Sequence, residues 1–334
     1  MKKRLMRACS LVMVIAIMLA VAVTPAAGAS PKKKTVKVYS AFGDSIPAGF
    51  AEPSYEYVFE DRNNVTNKVV KESYLRWVGE LTDAETVNNL TKIGTRASDF
   101  CHVLDPSYPT DGLSTRYLPR KEVNGKTVVD EKICAELRKG YIECIKESDL
   151  ITVEYGNNDL FQPIMAYKDA VEGNVNIVKT VASWGVDAKT QEMLQMAQWF
   201  GSNTVRAQEC KMELLKSVKK FQESFDFFVK FIHKTNPKAK LVIVGFYNPL
   251  SQISVQLPTG EQNVGKALDF LANIGNDYIS NRCKYRKYYI FADIKDIECF
   301  MGIPGKPGYK LDPHPTPAGH KKMARQIVKA AGLS

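Results

Sequence analysis

A serine and a histidine stand where they could form a nucleophile and its base. Ser45 ends the tripeptide Gly43-Asp44-Ser45, directly after a run of β-branched and aromatic residues, and His314 lies between two prolines. A serine hydroxyl is a weak nucleophile until a base accepts its proton, and imidazole titrates in the range that suits that base. The flanking prolines restrain the backbone around His314, which favours a base of fixed orientation.

The other three histidines suit structural roles better. His102 follows Cys101 on a short predicted helix, where packing is the more common use. His233 lies near the end of a long amphipathic helix, where a histidine usually complements the helix dipole. His320 lies inside the last predicted helix. His314 is therefore the histidine that we expect to do chemistry.

Strands and helices alternate along the chain after residue 35. Apolar and β-branched runs predict strands at 36–42, 86–90, 150–155, 239–245 and 288–292. Apolar residues at helical spacing predict helices at 73–81, from about 98, and at 133–148, 209–233, 264–280 and 317–331. Such alternation is typical of an α/β fold with a parallel sheet and helices on both faces. The stretches near 105–130 and 161–207 interrupt it and are expected to be insertions into a single domain, 36–334.

Polar residues follow several of these strands. Ligands of open parallel sheets bind at the carboxyl ends of strands, so residues just beyond each strand matter most. Ser45 follows the first strand, Gly94 the second, and Gly156-Asn157-Asn158-Asp159 the third, while His314 precedes the last helix. The pattern therefore places a serine, two glycines, a carboxamide and a histidine on one rim.

These segments resemble the SGNH, or GDSL-type, esterase and lipase superfamily. The resemblance runs from about residue 38 to 330 and lies in four blocks: Gly43-Asp44-Ser45, Asn88 to Gly94, Gly156-x-Asn158-Asp159, and Asp312 with His314-Pro315. It implies a three-layer, flavodoxin-like sandwich, here with helical insertions. It also implies hydrolysis of carboxylic esters through an acyl-enzyme, with no cofactor and no metal.

The resemblance assigns a role to each matching residue. Ser45 is the nucleophile, His314 the general base and Asp312 its orienting acid. The backbone N–H groups of Ser45 and Gly94, with the side-chain amide of Asn158, form the oxyanion hole. Two structural alternatives stay open, namely an Asx turn at Asn158 and a helix-entry glycine at Gly94.

The acid departs from the family's pattern. It usually stands three residues before the histidine, where this chain has Leu311, whereas Asp312 stands two before. Asp312 and His314 both precede prolines, which favours extended backbone, and residues two apart in an extended chain point to the same side. Asp312 could then reach the imidazole. The alternative is that Asp312 caps the turn and a backbone carbonyl orients His314.

The start of the chain has the features of a secretory signal peptide. A basic segment, Met1 to Arg7, precedes an apolar run from Ala8 to Val23 and small residues ending at Ala29. This order predicts cleavage after Ala29 and a secreted, extracellular protein, and an uncleaved membrane anchor is the alternative. Residues 30–35 form a Lys-rich leader. The net charge of the whole chain is +10, part of which lies in the signal segment.

Six cysteines remain after the signal segment: Cys101, Cys134, Cys144, Cys210, Cys283 and Cys299. Their number is even and export permits disulfides, so we expect buried thiols together with one or two bridges. Their spacings match no zinc pattern, and Asp312, His314 and His320 lack the close histidine pair of a metal site.

Several function classes are disfavoured. The chain has 334 residues, 45% of them hydrophobic, which fits a globular protein. It carries no dinucleotide-binding or phosphate-loop motif, no Gly-x-Ser-x-Gly after the first strand, and no basic stripe interleaved with aromatic residues that would indicate nucleic-acid binding. Peripheral association with an anionic cell wall or membrane surface stays open.

The favoured hypothesis is a secreted serine esterase or lipase whose substrate is a small-molecule, lipid or acetylated-glycan ester. One alternative is a non-catalytic module on the same fold that binds carbohydrate or cell wall. Another is an O-acetyltransferase acting on a wall polymer. The apolar side chains of 161–207 are expected either to line an acyl pocket as a cap or to form an extra helical layer with its own small core.

Overall fold

The computed structural model describes residues 36–56, 62–110, 118–174, 176, 179, 188–249, 251, 254–257, 260–263, 269–300 and 312–334. Residues Val36–Ser334 form one compact unit. The predicted signal peptide and Lys-rich leader, residues 1–35, lie outside the described residues.

The strands of the described chain are, in order, β1 (Val38–Gly43), β2 (Thr86–Thr91), β3 (Arg120–Val123), β4 (Lys126–Val129), β5 (Leu150–Glu154), β6 (Lys240–Val244), β7 (Ser254–Leu257), β8 (Gly260–Asn263) and β9 (Ile290–Ala292). A parallel sheet of five strands, in the order β2-β1-β5-β6-β9, forms the centre of the molecule. All five predicted strands are therefore confirmed, with small shifts at their ends.

The helices are α1 (Ser45–Ala48), α2 (Tyr74–Leu81), α3 (Ala97–Leu104), α4 (Glu131–Glu147), α5 (Asn157–Met165), α6 (Lys168–Glu172), α7 (Ala188–Gly201), α8 (Val205–Thr235), α9 (Asp269–Arg286) and α10 (Pro317–Ala330). The predicted helices are confirmed, although α8 begins before residue 209. The first residues of the predicted helix 264–280 lie outside the described residues, and α9 continues to Arg286.

Side chains of the central strands alternate between two hydrophobic layers. On one face, Ala41, Val242 and Val244 pack with residues of α2 and α10. On the other face, Phe42 and Ile243 belong to a layer that includes residues of α3, α4, α5, α8 and α9. The period of two expected of a strand thus supplies both faces, and the result is a three-layer sandwich.

The register of the strands brings the chemical residues to one edge. Gly43, the last residue of β1, pairs with Thr91 of β2 and with Glu154 of β5. The carboxyl ends of these three neighbouring strands are therefore level. The loops that follow them, beginning at residues 44, 92 and 155, leave the sheet side by side.

The insertion near 105–130 differs from the helical character that was predicted for it. It contains the antiparallel hairpin β3–β4. Asn124 and Gly125 connect the strands with positive φ angles of 50° and 72°, the combination that a two-residue hairpin turn requires. The side chains of this hairpin are mostly exposed.

The second insertion builds a small core of its own, as one of the two interpretations predicted. Its buried residues are Val171, Trp199, Ala207 and Cys210, from α6, α7 and the start of α8. The side chains of Phe161, Met165, Trp184, Met193 and Leu194, which the cap interpretation also uses, lie outside the described residues. A cap over an acyl pocket stays a prediction.

The expectation of one or two disulfides is wrong, because all six cysteines are free thiols. Cys134 and Cys144 lie ten residues apart on α4, which at 1.5 Å per residue separates them by about 15 Å, well beyond bridging distance. Cys101, Cys210, Cys283 and Cys299 belong to other segments.

Within the described residues, no helix combines the length and the apolar character needed to cross a bilayer.

Candidate active site

The nucleophile candidate lies at the first residue of a very short helix. Asp44 caps α1, because its Oδ1 atom accepts a hydrogen bond of 3.1 Å from the N–H of Ile46. Gly43 makes this sharp turn feasible, since a Cβ there would lie 2.4 Å from Pro47 Cγ and 2.7 Å from the carbonyl oxygen of Glu154. Ser45 therefore begins a helix at the edge of the sheet, where its own N–H has no partner within the helix.

The structure brings Ser45, His314 and Asp312 together in a line. His314 Nε2 lies 2.9 Å from Ser45 Oγ, and His314 Nδ1 lies 2.5 Å from Asp312 Oδ1. A carboxylate accepts hydrogen bonds and does not donate them, so Nδ1 carries the proton and Nε2 is the acceptor that faces Ser45. The carboxylate, and not a backbone carbonyl, thus contacts the imidazole. The ring of Phe50, with its centroid 4.9 Å away, packs against the imidazole.

Asn158 follows β5 at the start of α5, and its amide links two neighbouring loops. Its Nδ2 atom donates to Asp44 Oδ2 and to the carbonyl oxygen of Thr95, at 3.1 Å each. The turn depends on Gly156, whose φ of 120° is rare for other residues. A Cβ at Gly156 would also lie 2.5 Å from the ring of Phe246.

The Gly94 loop is held against α5 by two further contacts. Gly94 has a φ of 71°, and its carbonyl accepts a hydrogen bond of 3.1 Å from Gln162 Nε2. Asp159 Oδ2 accepts one of 3.0 Å from the N–H of Ala97. With the bond from Asn158 to Thr95, these contacts join the loop after β2 to the loop after β5, so Gly94 and Asn158 have a fixed relation to each other.

A buried arginine lies behind this junction. Arg96 Nε lies 3.7 Å from Asp159 Oδ1, and both side chains are fully buried. Arg96 also donates to Ser217 Oγ, and that hydroxyl donates at 2.6 Å to the carbonyl of Asp159. The cation therefore offsets part of the electrostatic cost of the Asp159 carboxylate. Sequence reasoning missed Arg96, Ser217 and Gln162, because no local signal indicates contacts that require α8 and α5 to pack on the rim.

Burial raises the pKa values of two acids near the nucleophile, Asp44 and Glu154. Desolvation, with a smaller contribution from the charge of Asp159, raises the pKa of Asp44 to about 7. Desolvation and the charge of Asp44 also raise the pKa of Glu154 well above its usual value. These carboxyl groups retain protons at pH values where exposed acids have lost them. Asp44 and Asp159 join neighbouring loops through their hydrogen bonds with Asn158 and Ala97.

The remaining histidines have structural partners. His320 is fully buried, 3.6 Å from Glu52 Oε1, and desolvation lowers its pKa to about 3, so it is neutral. His102 lies between the carbonyl of Tyr108, at 2.9 Å, and Glu131 Oε1, at 3.0 Å. The ring of His233 stacks on that of Tyr288. Among the described residues, no group of three or more His, Cys, Asp and Glu side chains could hold a metal ion.

The arrangement can move a proton and receive a negative charge. The hydroxyl of Ser45 can pass its proton to Nε2 while Asp312 stabilises the resulting imidazolium. The Ser45 N–H, which has no partner within α1, is a donor that a developing oxyanion could accept from. The rim therefore combines the parts that acyl transfer requires.

Comparison with solved structures finds similar folds. The fold is similar to that of an extracellular lipase from Streptomyces rimosus, with 14% identity, 88% of this chain and 99% of that chain covered, and a TM-score of 0.52. A phospholipase A1 from Streptomyces albidoflavus NA297 also matches, with 14% identity, the same coverages and a TM-score of 0.47. A carbohydrate esterase of family 2 from Corynascus thermopiles (Myceliophthora fergusii) matches with 16% identity, 89% and 65% coverage and a TM-score of 0.42.

No curated protein matches the chain. The model of a protein family, described as GDSL-like lipase/acylhydrolase, matches residues 39–327. That match includes all four sequence blocks on the rim and nearly all of the compact unit. The chain therefore belongs to the GDSL-like lipase/acylhydrolase family.

Proposed function

We propose that this protein is a serine hydrolase that cleaves carboxylic esters through an acyl-enzyme on Ser45. One observation carries the proposal, namely that His314 lies 2.9 Å from Ser45 Oγ through one ring nitrogen and 2.5 Å from Asp312 through the other. A hydroxyl, an imidazole and a carboxylate in this line activate a serine for attack on a carbonyl carbon.

Acylation begins when Ser45 Oγ attacks the ester carbonyl and its proton passes to His314 Nε2. Asp312 keeps the proton on Nδ1 and stabilises the positive charge of the ring. The carbonyl oxygen becomes an oxyanion, which we assign to the N–H groups of Ser45 and Gly94 and to the amide of Asn158. When this intermediate collapses, the carbon–oxygen bond of the ester breaks and the leaving alcohol takes the proton from Nε2.

Deacylation repeats these steps with water. Water gives a proton to His314 Nε2 and attacks the acyl carbon, and the same donors hold the second oxyanion. The proton then returns to Ser45 Oγ as the acid product leaves. The cycle restores the enzyme and uses the side chains and backbone N–H groups named above, together with water.

The substrates that we propose are carboxylic esters of small molecules, lipids or acetylated glycans. Membership of the lipase/acylhydrolase family supports the ester bond. We also propose that the protein is exported, because residues 1–29 have the order of a signal peptide. Export is tested by the amino-terminal sequence of protein from the culture medium, which should begin at Ser30.

The activity is tested with residues 30–334 and the p-nitrophenyl esters of acetate and butyrate. Wild type should hydrolyse both and Ser45→Ala neither. Ser54→Ala is the matched control, because the Ser54 hydroxyl is hydrogen-bonded to the carboxylate of Glu72 and not to the imidazole of His314. A fluorophosphonate should label wild type and Ser54→Ala, and mass spectrometry should place the label on the peptide that contains Ser45.

The same assay separates the alternatives. A folded wild type that neither hydrolyses esters nor reacts with the fluorophosphonate would refute the proposal and favour a binding module. If the fluorophosphonate labels Ser45, a sugar is added to the ester assay as a second acceptor. Transfer of the acyl group from Ser45 to a sugar hydroxyl faster than to water would identify an acetyltransferase. Hydrolysis that persists in Ser45→Ala would assign the nucleophile elsewhere.

A further inference from the structure

The peptide unit before His314 is held at both of its ends. The carbonyl oxygen of Pro313 accepts a hydrogen bond of 3.0 Å from the hydroxyl of Tyr247. The N–H of His314, which belongs to the same peptide unit, donates at 2.9 Å to Asp312 Oδ1. A peptide unit is a rigid plane, so two bonds at opposite ends fix its orientation. That orientation sets the direction in which the His314 side chain leaves the backbone.

The two peptide units after His314 are each held by one backbone hydrogen bond. The carbonyl of His314 accepts from the N–H of Phe300 at 3.0 Å, and the N–H of Thr316 donates to the carbonyl of Glu298 at 2.9 Å. These bonds tie the histidine segment to residues 298–300. The bond from Tyr247 ties the same segment to the loop after β6.

Tyr247 is well suited to hold a loop in place. It follows β6 by three residues at the carboxyl edge of the sheet, and its side chain is 7% exposed. Its ring packs in the layer that contains Ile294, Ile297 and Met323. A buried tyrosine ring has few conformations open to it, so the hydroxyl is a rigid donor anchored in the hydrophobic core.

We propose that Tyr247 is a positioning residue for His314, holding the peptide plane that aims Nε2 at Ser45. This inference rests on the proposed function, in which His314 is the general base. Without the hydroxyl, the Pro313 carbonyl loses this partner and the plane can rotate about the bonds on either side. The torsion angles on either side of this plane are ψ of Pro313 and φ of His314, so the rotation changes these two angles. The imidazole then moves relative to Ser45 Oγ.

The expected effect is on turnover and not on substrate binding. A misplacement of about 1 Å at a reacting group can cost roughly 100-fold in rate. The Tyr247→Phe variant keeps the packed ring, so we expect kcat to fall by about 10- to 100-fold with little change in KM.

Tyr289→Phe is the matched control. The Tyr289 hydroxyl donates at 2.7 Å to the carbonyl of Ile279, and its side chain is buried to a similar degree, at 4% exposure. Tyr289 directly precedes β9, so it lies at the amino edge of the sheet, opposite the candidate site. Both variants lose one buried bond to a backbone carbonyl, and both should lower the melting temperature comparably. Only Tyr247→Phe should lower kcat.

The experiment measures kcat and KM with p-nitrophenyl acetate, per active site titrated with the fluorophosphonate, so that misfolded protein does not contribute. Proton NMR then follows the far-downfield resonance of the proton between His314 Nδ1 and Asp312. This signal should shift or broaden in Tyr247→Phe and stay unchanged in Tyr289→Phe. Tyr247→4-aminophenylalanine restores a donor in the same place and should recover kcat.

Equal kcat values per titrated site in both variants, with an unchanged resonance, would overturn the inference. If Tyr247→Phe does not fold, the 4-aminophenylalanine variant carries the test. A folded 4-aminophenylalanine variant whose kcat stays about 10- to 100-fold below that of wild type would overturn the inference as well. A wild type without esterase activity would refute the proposed function instead. The resonance would then still decide whether Tyr247 orients the ring.

Discussion

Asp312→Asn is the substitution that tests the line from Ser45 to Asp312 most directly. In the structure, Asp312 Oδ1 accepts two hydrogen bonds, from His314 Nδ1 at 2.5 Å and from the His314 N–H at 2.9 Å. Asparagine has one oxygen and one NH2 group, and either can take the position of Oδ1. The oxygen there would accept from both nitrogens but carries no charge to stabilise the imidazolium, whereas the NH2 group there faces Nδ1 as a donor and favours the tautomer with the proton on Nε2. In that tautomer the nitrogen next to Ser45 cannot accept the serine proton.

The magnitude follows from this tautomer and from the exposure of the pair. Replacing the buried acid of a serine triad by its amide lowers kcat by about 10⁴-fold. Here the side chains of His314 and Asp312 are 14% and 22% exposed, so water can replace part of the lost interaction. We therefore expect a decrease of about 10³-fold, equivalent to about 4 kcal/mol of activation free energy.

The assay is kcat for p-nitrophenyl acetate at several pH values, with Asp105→Asn as the control. Asp105 Oδ1 also accepts a hydrogen bond of 2.9 Å from the N–H two residues later, that of Ser107, but its side-chain partner is the Ser107 hydroxyl and not an imidazole. Asp105→Asn should therefore retain wild-type turnover. A folded Asp312→Asn enzyme within tenfold of wild type would refute the role of Asp312 and restore the backbone-carbonyl alternative.

Two further substitutions test the neighbouring loops. Asn158→Ala should lower kcat by roughly 10²- to 10³-fold with little change in KM, because one donor to the oxyanion is lost, and an unchanged kcat would exclude Asn158 from the hole. Asp44→Asn tests the raised pKa through melting temperatures between pH 4 and pH 8. Since folded Asp44 keeps its proton up to about pH 7 and the unfolded chain loses it near 3.8, wild-type stability should fall as the pH rises through that window and level off above it. The fall should be smaller in Asp44→Asn, and an identical pH dependence would contradict the assigned pKa.

The sequence predicted the sheet well because its signals are local. Runs such as 239–245 are apolar except for Lys240, which suits a strand buried on both faces, and β6 occupies that stretch. The rim residues followed from the same reasoning, since parallel strands end at a common edge. Gly43 and Gly156 carried additional information, because each stands where a side chain would collide with a neighbouring segment.

Other features could not be read from local patterns. Arg96 meets Asp159 and Ser217 only because α8 packs across the rim, and the sequence separations are large. The disulfide expectation failed for the same reason, since even counts of cysteine say nothing of the distances between them. The hairpin β3–β4 is a different case: Asn124-Gly125 is a recognised signal for a two-residue turn, and the expectation of helical insertions overlooked it.

The bonds of Asn158 suggest how the rim could favour a transition state over a substrate. Its Nδ2 group has two hydrogens, and in this structure they go to Asp44 and to the carbonyl of Thr95. A neutral ester carbonyl is no better an acceptor than Thr95, so it gains little by displacing that bond. An oxyanion is a much stronger acceptor and can take the hydrogen away from Thr95 while Asp44 keeps the amide in place. An interaction that is stronger with the oxyanion than with the ester raises kcat, and a donor with no competing acceptor would bind both more nearly alike.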